Sequence, residues 1–179
     1  MRAMVVYESM FGNTRDVARA VAEGIASRMP VELVEVSNAP TSISADVGLL
    51  VVGGPTHGHG LSNPTTRADA HGRAGDRLVS RGIGLGEWLE NVGTSAEPPA
   101  TAAFDTRIKG PGLLWGSAAK AATKRLRARH FQVVAEPESF LVGGPTGPMF
   151  DRLATGERER AAAWGAGVAA AVATSVGVR

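Results

Sequence analysis

The stretch YESMFGNT, Tyr7 to Thr14, joins a valine-rich run, Arg2 to Tyr7 (RAMVVY), to a segment with apolar residues at Val17, Ala18, Val21, Ala22 and Ile25. The first run reads as a buried strand. Asn13 to Arg28 reads as an amphipathic helix, because apolar residues spaced three and four apart share one helical face. The turn between them places Ser9, Gly12, Asn13 and Thr14 at the helix N-terminus, which brings two hydroxyls and a series of backbone N–H groups together. A helix N-terminus attracts anions through its unpaired amides and its dipole, and glycine at position 12 permits close approach of the backbone. Serine, asparagine and threonine also cap helices for stability alone. Spacing by itself leaves an anion cradle and a plain cap evenly balanced.

Outward from this turn, strands alternate with helices. Pro30 and the alternating VELVEV of Val31 to Val36 give a second strand. Val47 to Gly53 (VGLLVVG) gives a third, apolar throughout as a central parallel strand covered on both faces should be, and stopped by Gly54 and Pro55. Leu61 to Arg81 lacks clear periodicity and is rich in Arg, Ala, Asp, Gly and Thr. Loops this long are usually functional or mobile, so the segment is expected to be a flap. Leu85 to Val92 is a short helix and Ala100 to Phe104 a fourth strand. Ser117 to Arg129 is a helix whose outer face carries Lys120, Lys124, Arg125, Arg127 and Arg129. Phe131 to Ala135 and Ser139 to Val142 form a fifth strand interrupted near Pro137, and a last helix begins near Thr155. This order predicts an α/β fold: a three-layer, doubly wound, five-stranded parallel sheet with right-handed crossovers. It is expected to form a single domain over 1–179, with 61–81 as a flexible flap or insertion.

Composition narrows the chemistry. The chain has 179 residues, 44% hydrophobic and 20% charged, enough for one full core. It contains no cysteine, which excludes disulfides, thiolate metal sites and cysteine nucleophiles, so redox chemistry would need a borrowed cofactor. The formal charge of +2 comes from cations spread along the chain, without the basic or aromatic array that nucleic-acid binding requires. The start shows no secretory pattern. The apolar stretch Ala161 to Val178 is broken by Trp164, three glycines, Thr174 and Ser175, so it reads as a buried helix face and not as a membrane span. A cytoplasmic location is expected. No HExxH, carboxylate pair or nucleophile elbow appears, so no catalytic residue and no metal ligand is assigned.

YESMFGNT followed by DVARAVAEG resembles the flavodoxin phosphate loop and first helix. The resemblance is motif-specific mainly in the first third of the chain. It implies strand order 2-1-3-4-5 and FMN as cofactor, with Ser9, Met10, Phe11, Gly12, Asn13 and Thr14 around the phosphate. Phe11 stands where many family members have a third hydroxyl, which leaves one hydrogen bond to backbone or unmade. Related quinone reductases have a similar YSMYGH-type loop, so the subfamily stays open. In a sheet of this kind ligands sit outside the carboxyl ends of the strands, where the winding reverses.

By position, the loop after the third strand, GGPTHGHG, matches the family's second flavin loop, which brings in Pro55, Thr56, His57, Gly58, His59 and Gly60. Here imidazoles replace the usual aromatic ring. The loop after the fourth strand, DTRIKGPGLLWG, matches the third flavin loop only loosely, with Asp105, Thr106, Arg107 and Gly110 as candidates. Trp115 there fits a core or helix-entry role better than flavin stacking. Trp88 and Trp164 read as core, and Tyr7 as packed beside the first loop. His71 and His130 show no ligand spacing. GGPTGP, Gly143 to Pro148, reads as a sharp turn into the last helix.

Three functions follow from these readings. The first is an electron carrier whose partners are a reductase and an acceptor protein; the lack of a catalytic dyad favours it, although typical electron-transfer flavodoxins are strongly acidic and this chain is slightly basic. The second is an FMN-dependent oxidoreductase that takes hydride from a nicotinamide cofactor and reduces a quinone, with Arg67, Arg73, Arg77 or Arg81 of the flap meeting nicotinamide phosphates. The third is an interaction domain that keeps the fold without flavin; the intact SMFGNT argues against it.

Overall fold

The structure is a computed structural model that describes residues 1–58, 60–74, 76, 78–94, 97–108, 116–143 and 152–176. Strand β1 (Arg2–Tyr7) lies between β2 (Val31–Glu35) and β4 (Val47–Pro55), and β4 is followed in the sheet by β6 (Ala100–Ile108). The position beyond β6 is shared. Here β7 (Gln132–Val133) pairs with the start of β6, and β8 (Glu138–Val142) pairs with its end. All these pairings are parallel. The sheet therefore has five positions in the order 2-1-3-4-5, with the fifth broken before Pro137, whose ring removes a ladder donor.

Each central strand is buried on both faces, and its alternate residues serve two cores. Ala3 and Val5 of β1, Leu49 and Val51 of β4, and Ala102 and Phe104 of β6 pack on one side with α1 (Asn13–Ala26) and α5 (Glu157–Val176). Met4, Val6, Leu50, Val52 and Ala103 pack on the other with α3 (Leu85–Asn91) and α4 (Ala118–Ala128). The period of two along the strands and the full burial of both faces thus produce the three layers. Trp88 is fully buried in the second core, with its indole N–H donated to the Pro40 carbonyl at 3.2 Å. Trp164 meets Phe104 and Phe140 edge to face, at centroid distances of 6.1 and 6.2 Å.

Three expectations are corrected in detail. β4 runs two residues further than expected, to Pro55, and β6 runs four further, to Ile108, because the two strands stay paired as far as Pro55 with Thr106. Asp105, Thr106 and Arg107 therefore lie in a strand and not in a loop. The segment 61–81 contains a helix, α2 (Pro64–Ala74). Its start is set by a reciprocal cap: Thr66 N–H donates to Asn63 Oδ1 and Asn63 N–H donates to Thr66 Oγ1, both at 3.0 Å, with Pro64 in the first position. A small second sheet also appears, in which β3 (Ser42–Ile43) pairs in parallel with β5 (Gly93–Thr94). No helix among the described residues is long and apolar enough to cross a membrane.

Helices α1 and α5 cross at very short range. A Cβ built on Gly24 would collide with the carbonyl of Ala162, and one on Gly165 with the carbonyl of Val21. Backbone cannot yield as a flexible side chain can, so overpacking here should cost at least about 1–3 kcal/mol. Gly24→Val is expected to lower the urea midpoint accordingly; an unchanged midpoint would contradict this crossing.

Candidate functional site

Because the strands are parallel, their carboxyl ends share one edge. The connections after β1 and β4 leave it in opposite senses and open a crevice between them. The cleft there is lined by Ser9, Met10, Phe11, Asn13, Thr14, Pro55, Thr56, His57, Thr106, Arg107, Ile108 and Val142, and encloses about 140 Å³. Most of the residues singled out in the sequence therefore meet in one place.

The turn before α1 has a defined internal structure. Gly12 is the N-cap residue, at φ 100°, in the left-handed region that glycine adopts without strain, and no side chain caps the helix. The buried Ser9 hydroxyl accepts the Gly12 N–H at 3.2 Å and so closes the turn. The buried Thr14 hydroxyl lies 2.7 Å from that of Thr106, linking the first turn of α1 to the end of β6. Gly12, as the N-cap residue, supplies no side-chain cap to the helix. Ser9, Asn13 and Thr14 line a cleft at the N-terminus of the helix, an end of the helix that favours anions. Phe11 is 41% exposed at the rim. Met10 turns inward and packs with Ala70 and Leu78.

In the second loop, His57 and Gly60 exchange backbone hydrogen bonds, N–H to O at 2.9 and 3.2 Å, around Gly58 at φ 59°. Burial lowers the His57 pKa from its ordinary value, with Arg67 adding to the effect. Thr56 accepts the N–H of Ala118 at 3.0 Å and so holds the start of α4 against the cleft. Asp105 does not line the cleft. Fully buried, it takes the Ser117 hydroxyl at 2.6 Å and the Ala119 N–H at 3.0 Å on Oδ2, at the N-terminus of α4. Its extension within β6 aims it at the α4 layer, whereas Thr106, one residue on, points to α1. Gly12 shapes the cleft without lining it, and Gly60 stands beside Ala121 of α4. His59, Gly110, Trp115, Arg77 and residues 144–148 of the GGPTGP turn lie outside the described residues.

A second cleft adjoins the first. It shares Phe11 and His57 and is walled by Gly58 and by Thr66, Asp69, Ala70 and Arg73 of α2. Of the flap arginines, Arg73 faces this cleft, whereas Arg67 is held bidentately by Glu87 at 2.8 and 2.7 Å and Arg81 donates to the Asp76 carbonyl.

Sequence reasoning missed two kinds of residue. Ile108 and Val142 enter the cleft because β6 and β8 run to its edge, a consequence of strand ends that short apolar runs do not mark. Glu8, Ser62 and Ser80 lie buried around the turn. The sole signal for Glu8 is a carboxylate between an apolar strand and a glycine turn. Among the described residues, no group of His, Asp and Glu is arranged to hold a metal ion.

Comparison with known proteins agrees with this geometry. Residues 5–96 match the family model for flavodoxin, and the chain belongs to the flavodoxin family. No curated protein matches it in sequence. Among solved structures it is similar to a flavodoxin from the domain Archaea, at 18% identity and TM-score 0.62, covering 97% of this chain and 99% of that one. It is also similar to oxidised flavodoxin 2 from Bacillus cereus, at 19% identity and TM-score 0.61, over 98% and 99% of the two chains. A third is rubredoxin oxygen:oxidoreductase from Desulfovibrio gigas, at 17% identity and TM-score 0.59, where the likeness covers 98% of this chain and 37% of the larger one. At these identities the likeness is one of fold.

The burial of His57 makes a direct prediction. By NMR its imidazole should half-titrate below about 6.5, the ordinary histidine value. The folded chain therefore resists protonation that the unfolded chain accepts, so this residue's contribution to stability is full above about pH 6.5 and is lost as pH falls from there through the lower folded value. A half-titration at or above that value would contradict the buried placement.

Proposed function

We propose that the turn from Ser9 to Thr14 binds the phosphate of FMN and that the chain serves as an electron carrier. The observation that carries this reading is the start of α1: a left-handed Gly12 with no side-chain cap, flanked by the buried hydroxyls of Ser9 and Thr14, at the edge of a cleft. The described cleft is smaller than the roughly 300–1,000 Å³ of sites that bury a whole drug-sized ligand, and it suits the phosphate and chain end of the cofactor. Ser9, Gly12, Asn13 and Thr14 would hold the phosphate, with Thr106 orienting Thr14. His57, Thr56 and Arg107 would line the path beyond.

FMN, when bound, supplies one- and two-electron chemistry, and the protein supplies binding and electrostatic tuning. Lys120, Lys124 and Arg127 lie exposed along α4, a charge that suits an acidic redox partner in place of the basic ones typical flavodoxins meet. A cytoplasmic setting and a single domain over the whole chain complete this reading.

One observation favours the oxidoreductase as a second reading. The cleft under α2, with Arg73 and Asp69 beside Phe11 and His57, offers room for a nicotinamide or a quinone next to the cofactor site. Steady reduction of a quinone by NADPH would favour this reading, and its absence the carrier.

The test of the common core is a titration of the cofactor-free chain with FMN, followed by quenching of flavin fluorescence. The unmodified chain should bind one equivalent. Thr14→Ala should weaken binding by about tenfold or more, since hydrogen bonds to charged groups contribute about 1.5–3 kcal/mol. No quenching by the unmodified chain would overturn the flavin reading and leave a flavin-free interaction domain.

A further inference from the structure

Directly before the turn sits a carboxylate for which the readings above have no use. Glu8 is fully buried. Its Oε1 accepts the Ser62 hydroxyl at 2.5 Å and its Oε2 accepts the Leu85 N–H at 2.8 Å, the first amide of α3, whose N-cap residue Gly84 has no side chain. Ser62 Oγ also accepts from Arg67 at 3.2 Å. Arg67 is bound in turn by Glu87, and Glu87 accepts the Gly84 N–H at 2.6 Å. The main chain of the next two residues is fastened to the far end of the same crossover. Ser80 N–H donates to the Ser9 carbonyl at 2.8 Å, Ser9 N–H to Ser80 Oγ at 2.9 Å, and Val79 N–H to the Met10 carbonyl at 3.0 Å. The segment 62–85 thus grips the start of the cradle at both of its ends, with Glu8 as the centre of one grip.

Glu8 is held by neutral donors. The charged groups that act on it are Arg67 of α2, one hydroxyl away, and Glu87 of α3, and these two are paired with each other. Gly53 of β4 and Ser80, which touch the backbone around it, carry no charge. Burial pushes its carboxyl above the ordinary range, opposed by the bonds from Ser62 and Leu85. Glu8 directly precedes the turn, and Glu8, Ser9 and Thr14 are all buried, so an anion bound at Ser9 to Thr14 adds a like charge in the same poorly solvated region, where like charges favour the neutral acid.

We propose that Glu8 is a positioning residue for the phosphate cradle and that entry of the phosphate drives a proton from solvent onto its carboxylate. The inference rests on the flavin reading above. The new O–H bond forms at Oε1, where Ser62 Oγ turns from donor to acceptor, while Oε2 keeps the Leu85 amide. On release of the ligand the proton returns to solvent. The grip of the crossover on the turn is kept throughout, but the buried negative charge is present only in the empty cradle.

The experiment is isothermal titration of the cofactor-free chain with FMN near about pH 6.5, in two buffers of different ionisation enthalpy, which reads protons taken up per ligand bound. The unmodified chain should take up more protons per FMN than Glu8→Gln, whose amide cannot take one up. Ser62→Ala removes a donor to the carboxylate and should move the pH of greatest uptake upward. This arm also decides the matter if Glu8→Gln does not fold. Equal uptake in the unmodified chain and Glu8→Gln, or an unmoved profile in Ser62→Ala, would overturn the role of Glu8 while leaving FMN binding intact. Absence of any binding heat from the unmodified chain would overturn the flavin reading itself and this inference with it.

Discussion

At Gly12 the chain leaves the edge of the sheet and enters α1 through a left-handed residue, with the Ser9 hydroxyl turned back to hold the Gly12 amide. The proposed phosphate site depends on keeping that short turn in one conformation. The donors that the turn itself would offer an anion are backbone amides and short hydroxyls, whose contribution depends on their being fixed in advance. The turn itself is too short to hold its own shape. Its rigidity is imported from β1 on one side, from α1 on the other, and from a crossover of more than twenty residues that returns to it twice.

That crossover changes the meaning of the segment 61–81. Without apolar periodicity it reads as a flap. Its ends are instead bound to the cradle through Ser62 and Ser80, and Ala70 and Leu78 pack on Met10 between them. Arg67, which as a surface arginine would be a candidate ligand for a second substrate, is spent on Glu87 and Ser62. The helix within the segment instead offers Asp69 and Arg73 to a separate cleft beside Phe11 and His57. A single stretch of chain thus holds the turn before α1 and forms the wall of the second cleft.

How much of this was legible in the sequence differs by residue. The parallel, doubly wound sheet and both helical layers followed from apolar runs such as VGLLVVG and from helical spacing in Asn13 to Arg28, because burial on both faces leaves an unbroken apolar signature; the strand order came from the family resemblance. The strand-to-helix turn was legible because glycine and hydroxyl residues there have a local meaning, but spacing left an anion cradle level with a plain cap, and the choice between them came from the family resemblance. The extent of β6 was not legible. Thr106 and Arg107 are polar at the edge of the cleft and Asp105 is polar because it binds the start of α4, and such polarity resembles a loop. Helix α2 escaped because its evidence is the cap between Asn63 and Thr66, with Ala70 as its one buried apolar residue among those described. Glu8 escaped because its partners, Ser62 and Leu85, are distant in sequence, and no local pattern records a contact across that span.

The central claim is that the phosphate is what this site recognises, and the comparison of FMN with riboflavin tests it most directly, since the two share the ring and the ribityl chain and differ only in that group. Measured by fluorescence quenching on the same preparation, the account predicts that FMN binds about a hundredfold or more tightly, the combined effect of several charge-assisted hydrogen bonds. Equal affinity for the two would show that the turn from Ser9 to Thr14 is a helix entry and nothing more.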